Sequence, residues 1–157
     1  MTTDLVTLET SISPAMFEQA VEDASAKAKT LARIVESQQL YTKMGQGKHI
    51  HIEAWITIGK GYGLTAAVLP DAEILYDPTT GDEIGAKAQS AIYNSSGMTV
   101  GGAPGFCMRQ GNWKSKPIEQ LVSMAGTRAV SKAFRLLLSY VVVLAGYSAT
   151  PYEEMDS

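Results

Sequence analysis

Between Phe17 and Val35 the apolar residues recur at helical spacing: Phe17, Ala20, Val21, Ala24, Ala28, Leu31, Ile34 and Val35. Ser13 can cap such a helix and Pro14 presets its first turn, so a helix is predicted from Ser13 to about Leu40, preceded by a weakly alternating arm over residues 1–12. Its other face carries Glu18, Glu22, Asp23, Lys27, Lys29, Arg33 and Glu36, mixed in sign, and reads as solvated or subunit-facing surface. Gly45 and Gly47 mark a turn. After it, HIHIEAW predicts a short strand that sends Ile50 and Ile52 to one side and His49, His51 and Glu53 to the other. From Glu53 the spacing turns helical through Ala54, Trp55, Ile58 and Tyr62, ending at Gly61 or Gly63.

Period-two patterning follows. Ala66 to Tyr76 predicts a strand, DPTTGDE a turn and Ile84 to Tyr93 a returning strand, which together make a β-hairpin. The glycine-heavy stretch from Asn94 to Gly105 reads as a bulged strand or a mobile loop, and Phe106 to Trp113 leads into the longest element. That element runs from Lys114 to Gly146, with Pro117 in its first turn, Ser115 placed to cap it, and Gly126 as its only internal glycine. Ile118, Val122, Ala125, Ala129, Ala133 and Leu136 line one face of it, and Arg128, Lys132 and Arg135 fall within a neighbouring stripe about 60° wide. The predicted fold class is α+β: a small antiparallel sheet built on a hairpin, packed on a long basic helix, with a further helix at the N-terminal side. One domain over residues 13–150 is expected, followed by an acidic tail over 151–157 whose Glu153, Glu154 and Asp156 read as solvated.

Length and composition agree with one soluble domain, since 157 residues at 45% hydrophobic and 18% charged can bury a core. The apolar run from Leu136 to Gly146 is too short for a span of about 20 residues, so no membrane segment is predicted. Cys107 is the only cysteine, and with no secretory pattern at the start a cytoplasmic setting is expected. Charge changes the picture more. The chain totals −3, yet from Ile84 to Tyr152 Lys87, Arg109, Lys114, Lys116, Arg128, Lys132 and Arg135 face the single acid Glu119, a local balance of +6. Such sorting builds a field for polyanions.

Chemistry-bearing patterns are sparse. His49, His51 and Glu53 could start a metal site, but two His with no Cys or carboxylate cluster give a weak signal, and no metal or other cofactor is expected. GMTVGG lacks the Gly-Lys-Ser/Thr ending of a phosphate loop and does not open onto a helix.

Two stretches, KHIHIEAWITIGKGYGLTA and SMAGTRAVSKAFRLLLSYVVVLAGYSATPYEEM, separated by a hairpin, resemble phage-encoded single-strand annealing proteins of the ERF and Sak kind. More distantly, the order helix, short strand, helix, hairpin, basic helix is similar to the annealing domain of the eukaryotic repair protein called Rad-fifty-two. The likeness spans roughly Lys43 to Met155, and its closing half is the specific part. It implies a non-enzymatic protein that binds single-stranded DNA, assembles with itself into rings or filaments, and anneals complementary strands without ATP in phage-type recombination. A recombination exonuclease or the host's single-strand-binding protein would be its further partners. Lys132 and Arg135 match the family's basic helix, Arg128 its T-R-A element and Trp55 its E-x-W element. The hairpin has only Lys87 and Arg109 as cations and the chain is acidic overall, so the expected site is a local groove.

The DNA-binding candidates are therefore Arg128, Lys132, Arg135, Lys114, Lys116, Lys48, Lys60 and Arg109, with Trp113 and Trp55 as stacking residues. Cations at i, i+4 and i+7 suit a row of phosphates, and annealing needs neither a nucleophile nor a metal because pairing drives it. One subunit offers few contacts, so affinity is expected to come from assembly. Three alternatives stand beside this one: a protein that coats single-stranded DNA or RNA without annealing, a phage structural or assembly protein, and a small metal-dependent nuclease using His49, His51 and Glu53, which lacks paired carboxylates.

Overall fold

The computed structural model describes residues 11–155, so the predicted arm lies almost wholly outside the described residues. Helix α1 (Pro14–Gln38) starts as the sequence predicts. Ser13 Oγ accepts the Met16 N–H at 3.1 Å with Pro14 in the first turn, and the helix stops at Gln39, whose φ of 54° is left-handed. Its inner face is shorter than the apolar spacing suggests: only Ala24, Ala28, Leu31 and Val35 are buried, while Phe17 and Val21 are exposed. Residues 11–23 are all exposed, so among the described residues their apolar positions have no surface to meet.

The His-bearing strand is shorter than expected and has a partner with no clear signature in the sequence. Strands β1 (Tyr41–Met44) and β2 (Gly47–Ile50) form a hairpin around Gly45, at a φ of 62°. Strand β2 stops at Ile50 because His51 is the N-cap of helix α2 (Ile52–Lys60), which makes Ile52 and Glu53 helical and ends the alternation. The two histidines are spent separately. Buried His49 places Nδ1 2.7 Å from the Thr150 carbonyl, and His51 Nε2 lies 2.8 Å from the Thr42 hydroxyl. Among the described residues no group of three or more His, Cys, Asp or Glu could hold a metal ion.

Strand β5 (Glu83–Tyr93) is the centre of the main sheet. Strands β3 (Thr65–Val68) and β4 (Glu73–Tyr76) pair antiparallel with it in succession, as do β6 (Thr99–Gly101) and β7 (Pro104–Met108) on the opposite edge. The single strand expected over Ala66–Tyr76 is thus broken at residues 69–72, where Pro70 has no N–H for a ladder. The Asn94–Gly105 stretch contributes β6 and the start of β7, folded back by a turn in which Asn94 Oδ1 accepts the Ser96 and Met98 N–H groups, both at 3.0 Å.

Helix α3 (Ile118–Leu144) crosses one face of this sheet. Small side chains set the approach: Ala86, Ala88 and Cys107 pack on Leu121 and Ala125, and a Cβ on Gly105 would collide with the Ala125 carbonyl and the Ala129 nitrogen. Ser90 fixes the seam, its Oγ lying 2.7 Å from the Ala129 carbonyl and 3.0 Å from the Ala103 carbonyl. A larger cluster with Trp55, Phe134, Leu31, Ile50, Ile92 and Val141 joins all three helices. Ala125, Ala129 and Ala133 are buried as expected, and Ile118 and Val122 are half-buried. Leu136 is not: it shares the face of Ala125 and Ala129 but is 63% exposed, because no described residue covers that face two turns further on. Ser115 does not cap the helix either, since Pro117 occupies the N-cap with no side-chain bond.

The predicted solvated tail docks instead. Pro151 is fully buried, and the 3-10 turn Tyr152–Glu154 lies against α3; Asp156 is outside the described residues. Among the described residues no helix is long and apolar enough to cross a membrane.

Candidate nucleic-acid interface

A groove runs along the edge of α3 where the docked C-terminal turn, β7 and the 3-10 turn Gly111–Trp113 meet it. It has two lobes that share Trp113 and Arg128. One, of about 480 Å³, is lined by Gly105, Gln110, Trp113, Arg128, Lys132 and Glu154 among others. The other, of about 400 Å³, is lined by Met44, Lys116, Met124, Tyr152, Glu153 and Met155 besides the shared pair.

The three cations of the predicted stripe are not equivalent. Arg128 is held by main-chain acceptors, donating from Nε to the Glu153 carbonyl at 2.7 Å and from Nη1 to the Phe106 carbonyl at 2.9 Å. It ties the C-terminal turn to β7, and its charge still faces the groove. Arg135 is paired internally, with Nε 3.0 Å from Glu154 Oε2, so the expectation of three free cations in a row is corrected. Lys132 is half-buried and makes no ion pair or side-chain hydrogen bond among the described residues.

The other candidates separate in the same way. Arg109 Nη1 donates to the Lys116 carbonyl at 2.7 Å and the Lys114 carbonyl at 3.3 Å, while Nη2 lies 3.5 Å from Glu83 Oε1; this arginine braces the turn ahead of α3. That brace leaves the Lys114 and Lys116 side chains exposed, with Lys116 Nζ 6.0 Å from the Trp113 ring centre. Lys48 sits on β2 beside Glu36, at 3.8 Å, and Lys60 ends α2; neither lines the groove. Trp113 is half-buried, with its body against the Leu121–Ala125 cluster. Trp55 is fully buried in the core and cannot stack on a base, which overturns its predicted role. An apolar position at helical spacing looks the same in sequence whether it faces a ligand or the core.

No family model matches the chain, and neither a curated protein nor a solved structure matches it.

The residues that sequence reasoning missed are Glu153 and Glu154. Glu153 Oε2 accepts the Ile52 N–H at 2.9 Å and so caps α2, and its Oε1 accepts the Ser131 hydroxyl at 3.3 Å. Glu154 is held above the ordinary carboxylate value by burial, although Arg135, Lys132 and Arg128 all pull it down. Burial likewise raises the Cys107 thiol, against the pull of Arg128, so this cysteine is inert packing beneath the groove.

Proposed function

We propose that the chain binds single-stranded nucleic acid along the α3 groove and, assembled with itself, anneals complementary strands without nucleotide hydrolysis. The observation that carries the reading is the groove's composition: cations at Lys116, Arg128 and Lys132 and a half-exposed tryptophan shared by both lobes, in a chain that is acidic elsewhere. A phosphate backbone is the ligand such a ledge suits, because each cation neutralises a phosphate and releases its counterion. Strand binding asks nothing of the histidines, and annealing needs only strands held close and extended. With Arg135 paired internally, the groove of one protomer offers three cations, Lys116, Arg128 and Lys132, which supports the expectation that assembly supplies the affinity.

The test is binding and strand pairing on the same protein. Oligonucleotide affinity measured between about 50 and 200 mM salt should fall with a slope near −0.7 per phosphate contacted. In a fluorescence-quench assay with complementary oligonucleotides the protein should speed pairing. Slowed pairing would make it a coating protein, and no binding at low salt would reject the reading.

A further inference from the structure

The larger lobe of the groove has the wrong interior for a phosphate. Glu154, whose Oε2 is already 3.0 Å from Arg135 Nε, is among the residues lining it, and Arg128 has already committed Nε and Nη1 to the Glu153 and Phe106 carbonyls. A phosphate pushed to that depth would meet a carboxylate and one partly satisfied guanidinium. A nucleobase would meet something better. Half-buried Trp113 lines the lobe and offers an aromatic ring, Glu154 can accept through Oε1 from a ring N–H or an exocyclic amino group, and Gln110 can both donate and accept. At about 480 Å³ the lobe falls within the range of roughly 300–1,000 Å³ typical of small-ligand sites. The unpaired cations sit differently: Lys114 is exposed beside Trp113, Lys116 lines the second lobe, and half-buried Lys132 is at the wall.

We propose that this lobe takes one unstacked base of the bound strand, laid against Trp113 and hydrogen-bonded by Glu154 and Gln110, while the flanking phosphates rest on Lys114, Lys116 and Lys132. The inference rests on the strand-binding reading above and adds that each protomer holds one base inward, pinning the strand's register and leaving the neighbouring bases free to pair. Base–aromatic stacking tolerates any base, so the pin fits a protein without sequence preference.

Tryptophan emission tests this directly, because Trp55 is wholly buried and contact quenching by a ligand reports Trp113 alone. An end-labelled oligothymidylate of about twenty nucleotides and an abasic strand of the same length are titrated into the whole protein, with anisotropy reporting binding and intrinsic fluorescence reporting Trp113. Both strands should bind, but only the base-bearing one should quench, and it should bind on the order of tenfold more tightly. Trp113→Phe should keep most of that advantage and Trp113→Ala should lose it; if the alanine variant does not fold, the quench on the unaltered protein still decides. Equal binding without differential quenching overturns the inward base and leaves backbone binding intact, whereas failure of both strands to bind removes the strand-binding reading and the inference with it. A free thymidine monophosphate that quenches at the same concentration as the strand also overturns it, in favour of a small-molecule site.

Discussion

Arg135 and Glu154 form an ion pair within the chain, Nε and Oε2 lying 3.0 Å apart at the junction of α3 and the C-terminal turn. Neither atom is aligned for a hydrogen bond, so the contact is electrostatic. Both side chains are largely out of water, at 29% and 17% exposure. A basic helix edge therefore holds two kinds of cation, one spent on the fold and one left for a ligand, and the two respond to different experiments.

Arg135→Ala should strip a partly buried carboxylate of its partner and cost about 1–3 kcal/mol, less than for a fully buried pair because Arg135 keeps some access to water. Lys132→Ala should leave stability nearly unchanged. In oligonucleotide binding the order reverses, with Lys132→Ala lowering the salt slope by about 0.7 and Arg135→Ala leaving it in place. Urea unfolding and salt-dependent anisotropy on both variants check this, and the opposite order would mean that Arg135 leaves Glu154 to meet the strand.

Glu153 satisfies the first N–H of α2, which its N-cap His51 leaves unbonded, from 101 positions away in sequence. Glu153→Ala removes the acceptor for the Ile52 N–H and the partner of Ser131, and should cost about 1–2 kcal/mol. Glu153→Gln keeps an oxygen for one of these bonds and should cost less. Thermal unfolding of the pair gives the comparison, and equal losses would show that charge, not hydrogen bonding, matters there.

Close approach of helix and sheet makes Gly105 the least replaceable glycine of the seam. Gly105→Ala places a methyl group against the Ala125 carbonyl and the Ala129 nitrogen, both backbone atoms that cannot rotate away. About 3 kcal/mol or more of destabilisation is expected. A denaturation midpoint within error of the parent's would show that α3 can lift off β7 freely.

Stability should also depend on pH through Glu154. Its folded value lies above the ordinary 4.5, so between the two values the native chain binds more protons than the unfolded chain. Stability is therefore greatest below the ordinary value and declines as pH rises through the raised one. Glu154→Gln removes that contribution. Urea midpoints from about pH 4 to 7 should slope less in the variant than in the parent, and identical slopes would place the titration elsewhere.

Local patterning alone was enough for much of the fold. Ser13–Pro14 start α1, the glycines after Lys60 end α2, DPTTGDE turns the hairpin and Pro117 opens α3; each works through backbone preferences that operate within a few residues. The concentration of cations between Ile84 and Tyr152 is likewise a property of the sequence. What only tertiary structure decided is how neighbouring residues of one type are used. Periodicity places Trp55 and Trp113 on helical or turn surfaces but does not say which surface another element covers, and α1, β2 and α3 close over Trp55 alone. The same limit applies to Phe17 and Leu136, apolar at helical spacing yet exposed where the partner layer ends. It applies most to charge. Whether Arg128, Lys132 and Arg135 face a ligand or the chain itself depends on where Glu153 and Glu154 dock, and that contact joins segments whose separation along the chain leaves no pattern in it.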